Sequence, residues 1–194
     1  MPIISSTILV TKYGKLKVNY HQFKINFDFE SCISITNGNI SSPNCIVRIH
    51  SSCLFSESLS SIDCDCDLQL QKSLKLIAEK TGAIIYLYQE GRGLGLGNKI
   101  KAMETERTER VDTAEAFHKL HFDLDPRKYT IAIKTLRELG VSKNIRLITN
   151  NPHKKMELEQ GGFKITKRIK FTFPHSKLVN AYLKVKREKL GHEI

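Results

Sequence analysis

Cys53, Cys64 and Cys66 fall within fourteen positions in a C-x10-C-x-C spacing, with Asp65 between the last two. Structural zinc sites are normally closed by four ligands in C-x2-C pairs. Three thiolates without an evident fourth describe instead a metal site with an open position, where a water would be held. Two alternatives stand beside this: His50 as a fourth ligand, or three small unligated side chains in a loop. Cys32 and Cys45 lie in apolar or turn contexts and are expected to be buried. An odd number of cysteines crowded into the first third of the chain, without secretory features, argues against a disulfide framework.

A second constellation is Gln89-Glu90-Gly91-Arg92-Gly93-Leu94-Gly95-Leu96-Gly97. It follows an apolar run and precedes a helical pattern, a topology in which backbone N–H groups and a helix dipole gather phosphate. Its glycines fit neither G-x-G-x-x-G nor a P-loop. The charged pair Glu90 and Arg92 among them points to contact with a base or phosphate edge, the alternative being a tight turn that needs small residues. Asp125-Pro126-Arg127 lies between two helical patterns. Thr149-Asn150-Asn151-Pro152-His153-Lys154 runs from a strand into a helix, where Pro152 suits a first helical position. Each also reads as capping chemistry.

The chain has 194 residues, 40% hydrophobic and 26% charged, with 31 Lys and Arg against 20 acidic residues, a formal charge of +11. That composition excludes disordered, collagen-like and coiled-coil proteins, and the charge points to an anionic partner. No stretch approaches the ~20 apolar residues of a membrane span, and Met1 to Ser6 lacks the features of a signal peptide. A cytoplasmic protein is expected. The basic residues are scattered, Trp is absent and no nucleic-acid motif appears, so neither nucleic acid nor membrane is the expected partner.

These groups need elements to position them. The first fifty residues alternate apolar and polar positions and predict short strands at Ile8 to Val10, Leu16 to Tyr20, Phe23 to Phe29, Cys32 to Ile35 and Ile46 to Ile49. Asn37-Gly38-Asn39 and Ser41 to Asn44 supply turns. After Cys66 the period becomes helical, with Leu70, Leu74, Ile77 and Ala78 on one face and Gly82 at an expected C-terminal cap. Ala83 to Tyr88 reads as a buried strand. Helices are expected at Asn98 to Thr105, Thr113 to Leu120, Lys128 to Leu139 and Pro152 to Gln160, and strands at Ile145 to Thr149 and Phe163 to Ile169. The expected fold is α/β, a mixed sheet flanked by helices in three layers, with an N-terminal antiparallel β section. One domain over residues 1–194 is expected, about 1–50 β-rich and about 51–194 α/β with the metal site.

In this order and spacing, the chain resembles GTP cyclohydrolase II, the zinc enzyme that opens riboflavin biosynthesis. The matching residues are Val47-Arg48-Ile49-His50-Ser51-Ser52-Cys53, Cys64-Asp65-Cys66 with Gln69, Gln89 to Leu96, and Asn98-Lys99-Ile100. They continue through Asp112-Thr113, Glu115-Ala116, Asp125-x-Arg127, Leu139-Gly140-Val141 and Thr149 to Pro152 with Lys154, to Tyr182-Leu183 and Lys189 to His192 in the tail.

The resemblance implies that Cys53, Cys64 and Cys66 bind one zinc ion, whose activated water attacks C8 of guanine and opens the imidazole ring. It implies Asp125 as proton acceptor and Arg127 as nucleophile toward the α-phosphate, releasing pyrophosphate. Guanidinium is protonated far above neutral pH, so electrostatic stabilisation of the phosphoryl group is the competing role for Arg127. By the same resemblance Arg48, Ile49, His50, Ser51, Ser52, Gln69, Glu90, Gly91, Arg92, Thr113, Thr149 and Lys154 contact GTP, Mg²⁺ assists at the triphosphate, and the protein is a homodimer. The dihydroxybutanone-phosphate synthase domain fused in many members has no counterpart in these residues.

The chain departs from the family at several positions. Met103 stands where the family has a tyrosine implicated in catalysis, and a thioether cannot donate a proton. Loss of that donor would stop the reaction at the ring-opened formamide, before formate leaves. Asp63 replaces an arginine before Cys64 and Ser52 a glutamate before Cys53. Arg110-Val111 replace a Gly-Tyr pair, Gly97 a bulkier apolar residue and Pro126 an acidic one. A specialised paralogue of secondary metabolism and a catalytically silent nucleotide-binding homologue are the alternatives these departures raise.

Overall fold

The computed structural model describes residues 3–173 and 177–193. Met1 and Pro2, part of the opening segment considered above, lie outside the described residues. β-Branched and aromatic residues between turn residues form three long strands at the front: β1 (Ile3–Thr11), β2 (Gly14–Ile25) and β3 (Asp28–Asn37). The strand expected at Phe23 to Phe29 is two strand ends. Ile25 pairs with Asp28 across a two-residue turn, and Asn26 takes the positive φ of 55° that the turn requires. An Asn without a following glycine hides that signal in the sequence.

β4 (Cys45–Ser51), β5 (Gly82–Leu87), β6 (Asn144–Ile148) and β7 (Lys164–Ile169) complete a seven-stranded sheet of order β1-β2-β3-β5-β4-β6-β7. Pairing is antiparallel from β1 through β3 to β5 and parallel from β4 through β6 to β7. The sheet is therefore mixed, with its antiparallel section in front.

The alternation of side chains along β5 shows the layering. Ala83, Ile85 and Leu87 enter a core with Ile131, Ala132 and Leu136 of α5 (Thr130–Glu138) and Leu158 of α6 (Pro152–Gln160). Ile84 points the other way, with Ile77 and Leu74 of α2 (Cys66–Glu79). Helices thus cover both faces. Gly82 does not cap α2; it opens β5, where a Cβ would stand 2.6 Å from Ile77 Cγ2 and 2.8 Å from the Ile46 carbonyl oxygen. Close approach of helix to strand, not a turn, explains the glycine.

Packing divides the chain into two compact units. The first comprises Met1–His50, Gln69–Tyr88 and Lys128–Phe171 and holds the sheet with its covering helices; the second comprises Ser51–Leu68, Gln89–Arg127 and Thr172–Ile194. The second unit holds α1 (Leu54–Ser58), α3 (Leu96–Glu109), α4 (Thr113–Lys119) and α7 (Lys177–Leu190), and Ala102, Ala114, Ala116, Phe117, Val179 and Leu183 of it are buried. α3 outruns the expected Asn98 to Thr105. Its second half is rich in good helix formers and carries an Arg107–Glu104 ion pair at 2.6 Å, and the helix ends only where Arg110 turns left-handed at φ 55°. No helix among the described residues is long and apolar enough to cross a membrane.

Candidate active site

The local fold brings the three cysteines together. Cys53 precedes α1, Cys66 opens α2, and Cys64 lies in the turn before it. The segments are pinned by Glu57, which accepts a hydrogen bond from the Cys53 N–H at 3.0 Å, and by Ser56 Oγ, which accepts one from the Asp67 N–H at 3.1 Å. The three sulfurs lie within 4.8 Å of one another, and Cys53 and Cys64 are 3.7 Å apart. Thiolates about 2.3 Å from a tetrahedral zinc ion stand about 3.8 Å apart, so the cluster has the dimensions of a metal-ligand set. Hydrogen bonds from the Cys64 and then the Cys66 thiol, with Lys99 adding its charge, push the Cys53 thiol far below its usual value; Cys64, whose hydrogen bond to Cys53 favours its neutral thiol, is raised. His50 lies in the first unit, where its ring stacks on Tyr86 at 5.6 Å and meets Arg48 Nη2 at 3.5 Å.

The glycine-rich loop begins as a tight turn, Glu90–Gly93, in which Gly91 and Arg92 both take φ of 58°. For Arg92 that conformation costs about 1–2 kcal/mol. Gly91 is required: a Cβ there would lie 2.9 Å from Lys99 Cβ. Glu90, expected to touch GTP, is committed within the protein. Its carboxylate accepts from the Leu54 N–H at 2.7 Å, the Gly91 N–H at 3.2 Å and Lys99 Nζ at 2.7 Å. Arg92 is buried over the Phe117 ring at 4.8 Å and donates from Nη1 to the Leu124 carbonyl, while its Nη2 has no hydrogen-bond partner among the described residues. An unsatisfied buried guanidinium nitrogen is what an anionic ligand would complete. Ser51 Oγ approaches Gln89 Oε1 at 3.4 Å, and Ser52 is half-buried.

Asp125 and Arg127 form a bidentate pair, Nε to Oδ1 and Nη2 to Oδ2, both at 2.6 Å. Burial opposes the charge on Asp125, but the bonds from Arg127 outweigh it and hold the carboxyl below the usual carboxylate range. Thr113 opens α4 after Asp112, whose carboxylate caps the Ala114 and Glu115 N–H groups at 2.9 and 3.0 Å. The Thr113 hydroxyl donates to Glu106 Oε2 at 3.0 Å. Burial pushes the Glu106 carboxyl up, against that hydrogen bond and the charge of Arg92. Met103 is half-buried on α3, one turn from Glu106.

The remaining expected contacts lie in the first unit. Along β4, Cys45, Val47 and Ile49 enter the core and Arg48 and His50 face the opposite side. The Ile49 side chain is buried in the core, and its carbonyl accepts from Lys154 Nζ at 2.9 Å. Arg48, buried, donates to Gln69 Oε1 and to the Ile148 carbonyl. Lys154 lies 5.2 Å above the Tyr129 ring, and the Thr149 hydroxyl accepts from the Asn151 N–H at 3.0 Å at the end of β6. Reading the sequence assigned no role to Lys99 or Glu106. For Lys99 the signal was its place one turn before Met103 on α3, a helix that follows directly on the glycine loop.

Fold and site together define an α/β protein with a three-cysteine cluster beside a glycine loop of paired charges. The GTP cyclohydrolase II profile matches residues 3–170. The riboflavin biosynthesis protein RibBA of Endomicrobium trichonymphae is 43% identical over 186 residues, 95% of this chain and 45% of that protein. The chain thus spans less than half of that relative. GTP cyclohydrolase-2 of Picrophilus torridus is 39% identical over 97% of this chain and 96% of its own length, and that of Shewanella halifaxensis 38% over 97% and 90%. A crystal structure of RibBX, a two-domain 3,4-dihydroxy-2-butanone 4-phosphate synthase from A. baumannii, aligns with 89% of this chain and 40% of its own at a TM-score of 0.48 and 13% identity. The chain belongs to the GTP cyclohydrolase II family.

Proposed function

We propose that this protein hydrolyses the guanine imidazole ring of GTP at C8 and releases pyrophosphate and formate, giving the diaminopyrimidine ribonucleotide of riboflavin biosynthesis. The observation that carries the reading is the cluster of three cysteine sulfurs within 4.8 Å in a chain of this family. Cys53, Cys64 and Cys66 would hold the zinc ion, and Lewis acidity that lowers the pKa of a bound water toward neutrality is what zinc supplies when bound there.

The chain's own residues account for the rest. Arg92, with an unpartnered buried nitrogen, binds an anionic oxygen of the substrate. Arg127 stabilises charge on the α-phosphoryl group: a guanidinium held in two charge-assisted bonds has no lone pair to offer as a nucleophile. When phosphate draws Arg127 away, Asp125 loses the bonds that keep its pKa low and becomes a better proton acceptor. Binding of the triphosphate, with Mg²⁺, would thus prime the base. On the family resemblance, Arg48, Gln69, Thr149 and Lys154 are further substrate contacts. The reading includes a homodimer, supported by β1, an edge strand whose Ile4, Ile8, Leu9 and Val10 are exposed.

A second reading rests on Met103. With a thioether on this face of α3 in place of a phenol, ring opening proceeds and formate is retained as the formamide. Incubating the zinc-loaded protein with GTP and Mg²⁺, with mass spectrometry and a formate assay, separates the two. Formate with diaminopyrimidine phosphate is expected, formamidopyrimidine without formate would establish the second reading, and unchanged GTP would overturn both.

A further inference from the structure

Lys99 has no part in the chemistry above, yet its ammonium stands inside the cysteine cluster's immediate surroundings. Nζ donates to Cys53 Sγ at 3.3 Å and to Glu90 Oε1 at 2.7 Å, and lies 4.5 Å above the Phe55 ring. The lysine and glutamate side chains are only 19% and 14% exposed, so the pair is shielded from competing water. Glu90 is itself held by the Leu54 N–H, the residue after Cys53. The contact closes a ring from Cys53 through Leu54, Glu90 and Lys99 back to the Cys53 sulfur. Gly91 leaves room for it, since any Cβ there would strike Lys99.

We propose that Lys99 is a positioning residue of the metal centre, whose N–H···S bond orients Cys53 and sets how much charge that sulfur gives to a bound metal ion, with Glu90 as the clamp that holds it. The inference rests on the three-cysteine metal reading. Three thiolates around a divalent cation carry one excess negative charge, and an ammonium at 3.3 Å offsets it. A hydrogen bond to sulfur lowers the energy of its lone pair, so less charge passes to the metal and more Lewis acidity remains for the open position. Partners of this kind, one bond removed from the metal, contribute about 10–100-fold in metal affinity.

The test uses the full-length protein loaded with Zn²⁺ or Co²⁺. Competition against a chromophoric chelator should show K99M binding Zn²⁺ about 10-fold or more weakly than the parent. The thiolate-to-Co²⁺ charge-transfer bands of K99M should move to lower energy, because the sulfur lone pair is no longer stabilised. K99R, which keeps a charged N–H donor, should recover part of both effects. A merely structural lysine would leave the bands in place, so unchanged bands and affinity in K99M overturn the proposal. Should K99M lose its circular dichroism, the affinity of K99Q is read instead: a loss is expected, and parental affinity overturns the proposal. A parent protein that binds Co²⁺ without thiolate bands would overturn the metal reading itself, a result distinct from bands that ignore Lys99.

Discussion

Each residue in the site has a job that its bonding defines. The three cysteines are close enough to share one ion, and no pair of them can complete a site alone. C64S should therefore take the zinc content, measured by plasma mass spectrometry, from one per chain to near zero, and activity with it. Arg127 is planar, bidentate and charged, and a lysine cannot reproduce its two parallel bonds. R127K and R127A should both lower kcat by about 10²–10³-fold, as removal of a charge-stabilising donor does. A parental kcat in R127K would leave only a diffuse positive charge as its role. Glu90, set among glycines, also bonds the Leu54 N–H and Lys99 Nζ within the protein.

Elements place these residues by periodicity and by their ends. β4 alternates Arg48 and His50 against Val47 and Ile49, so a run that looks uniformly functional splits into a core face and a polar face. α4 depends on its cap: D112A leaves the Ala114 and Glu115 N–H groups unpaired and removes the Lys189 ion pair at 2.5 Å. It should cost about 1 kcal/mol in urea unfolding, read as a lower midpoint with unchanged slope. β2 and β3 bury His21, whose Nε2 meets Ser34 Oγ at 2.8 Å beside Asn19 while Nδ1 finds no hydrogen-bond partner among the described residues. Burial lowers its pKa from the ordinary 6.5, so folding favours the neutral ring. The stabilisation is complete above pH 6.5 and is lost as the pH falls through the depressed folded value. Stability of the parent should fall more steeply between pH 6.5 and 5 than that of H21Q; equal slopes would remove His21 as the cause.

At the scale of the molecule, the exposed apolar side chains of β1 are the feature that a lone chain explains least. Ile8 is 57% and Val10 73% exposed on a strand with an unpaired edge. If the edge joins two copies, L9K/V10K should shift the sedimentation coefficient from dimer to monomer and leave the circular dichroism in place. A parental sedimentation coefficient in that variant would locate the interface elsewhere. The +11 charge acts at this scale too, favouring association with a polyanionic substrate at low ionic strength.

Much of this architecture was legible from residue types. The change of period after Cys66 marks α2, Pro152 and Gly161 bracket α6, and the C-x10-C-x-C spacing marks the cysteine cluster, because local geometry is written in adjacent residues. Other features depend on groups far apart in the chain. That Gly82 is a packing glycine follows from Ile46 and Ile77 closing on it, and that Ile49 is core follows from the helices over its face of the sheet. Glu90 and Lys99 serve Cys53 because a turn with two left-handed residues returns the chain to α1. Sequence alone determined which chemistries and elements were available. Tertiary structure decided which partner each charge would take, because a hydrogen bond depends on a few ångströms between residues whose separation along the chain carries no such information.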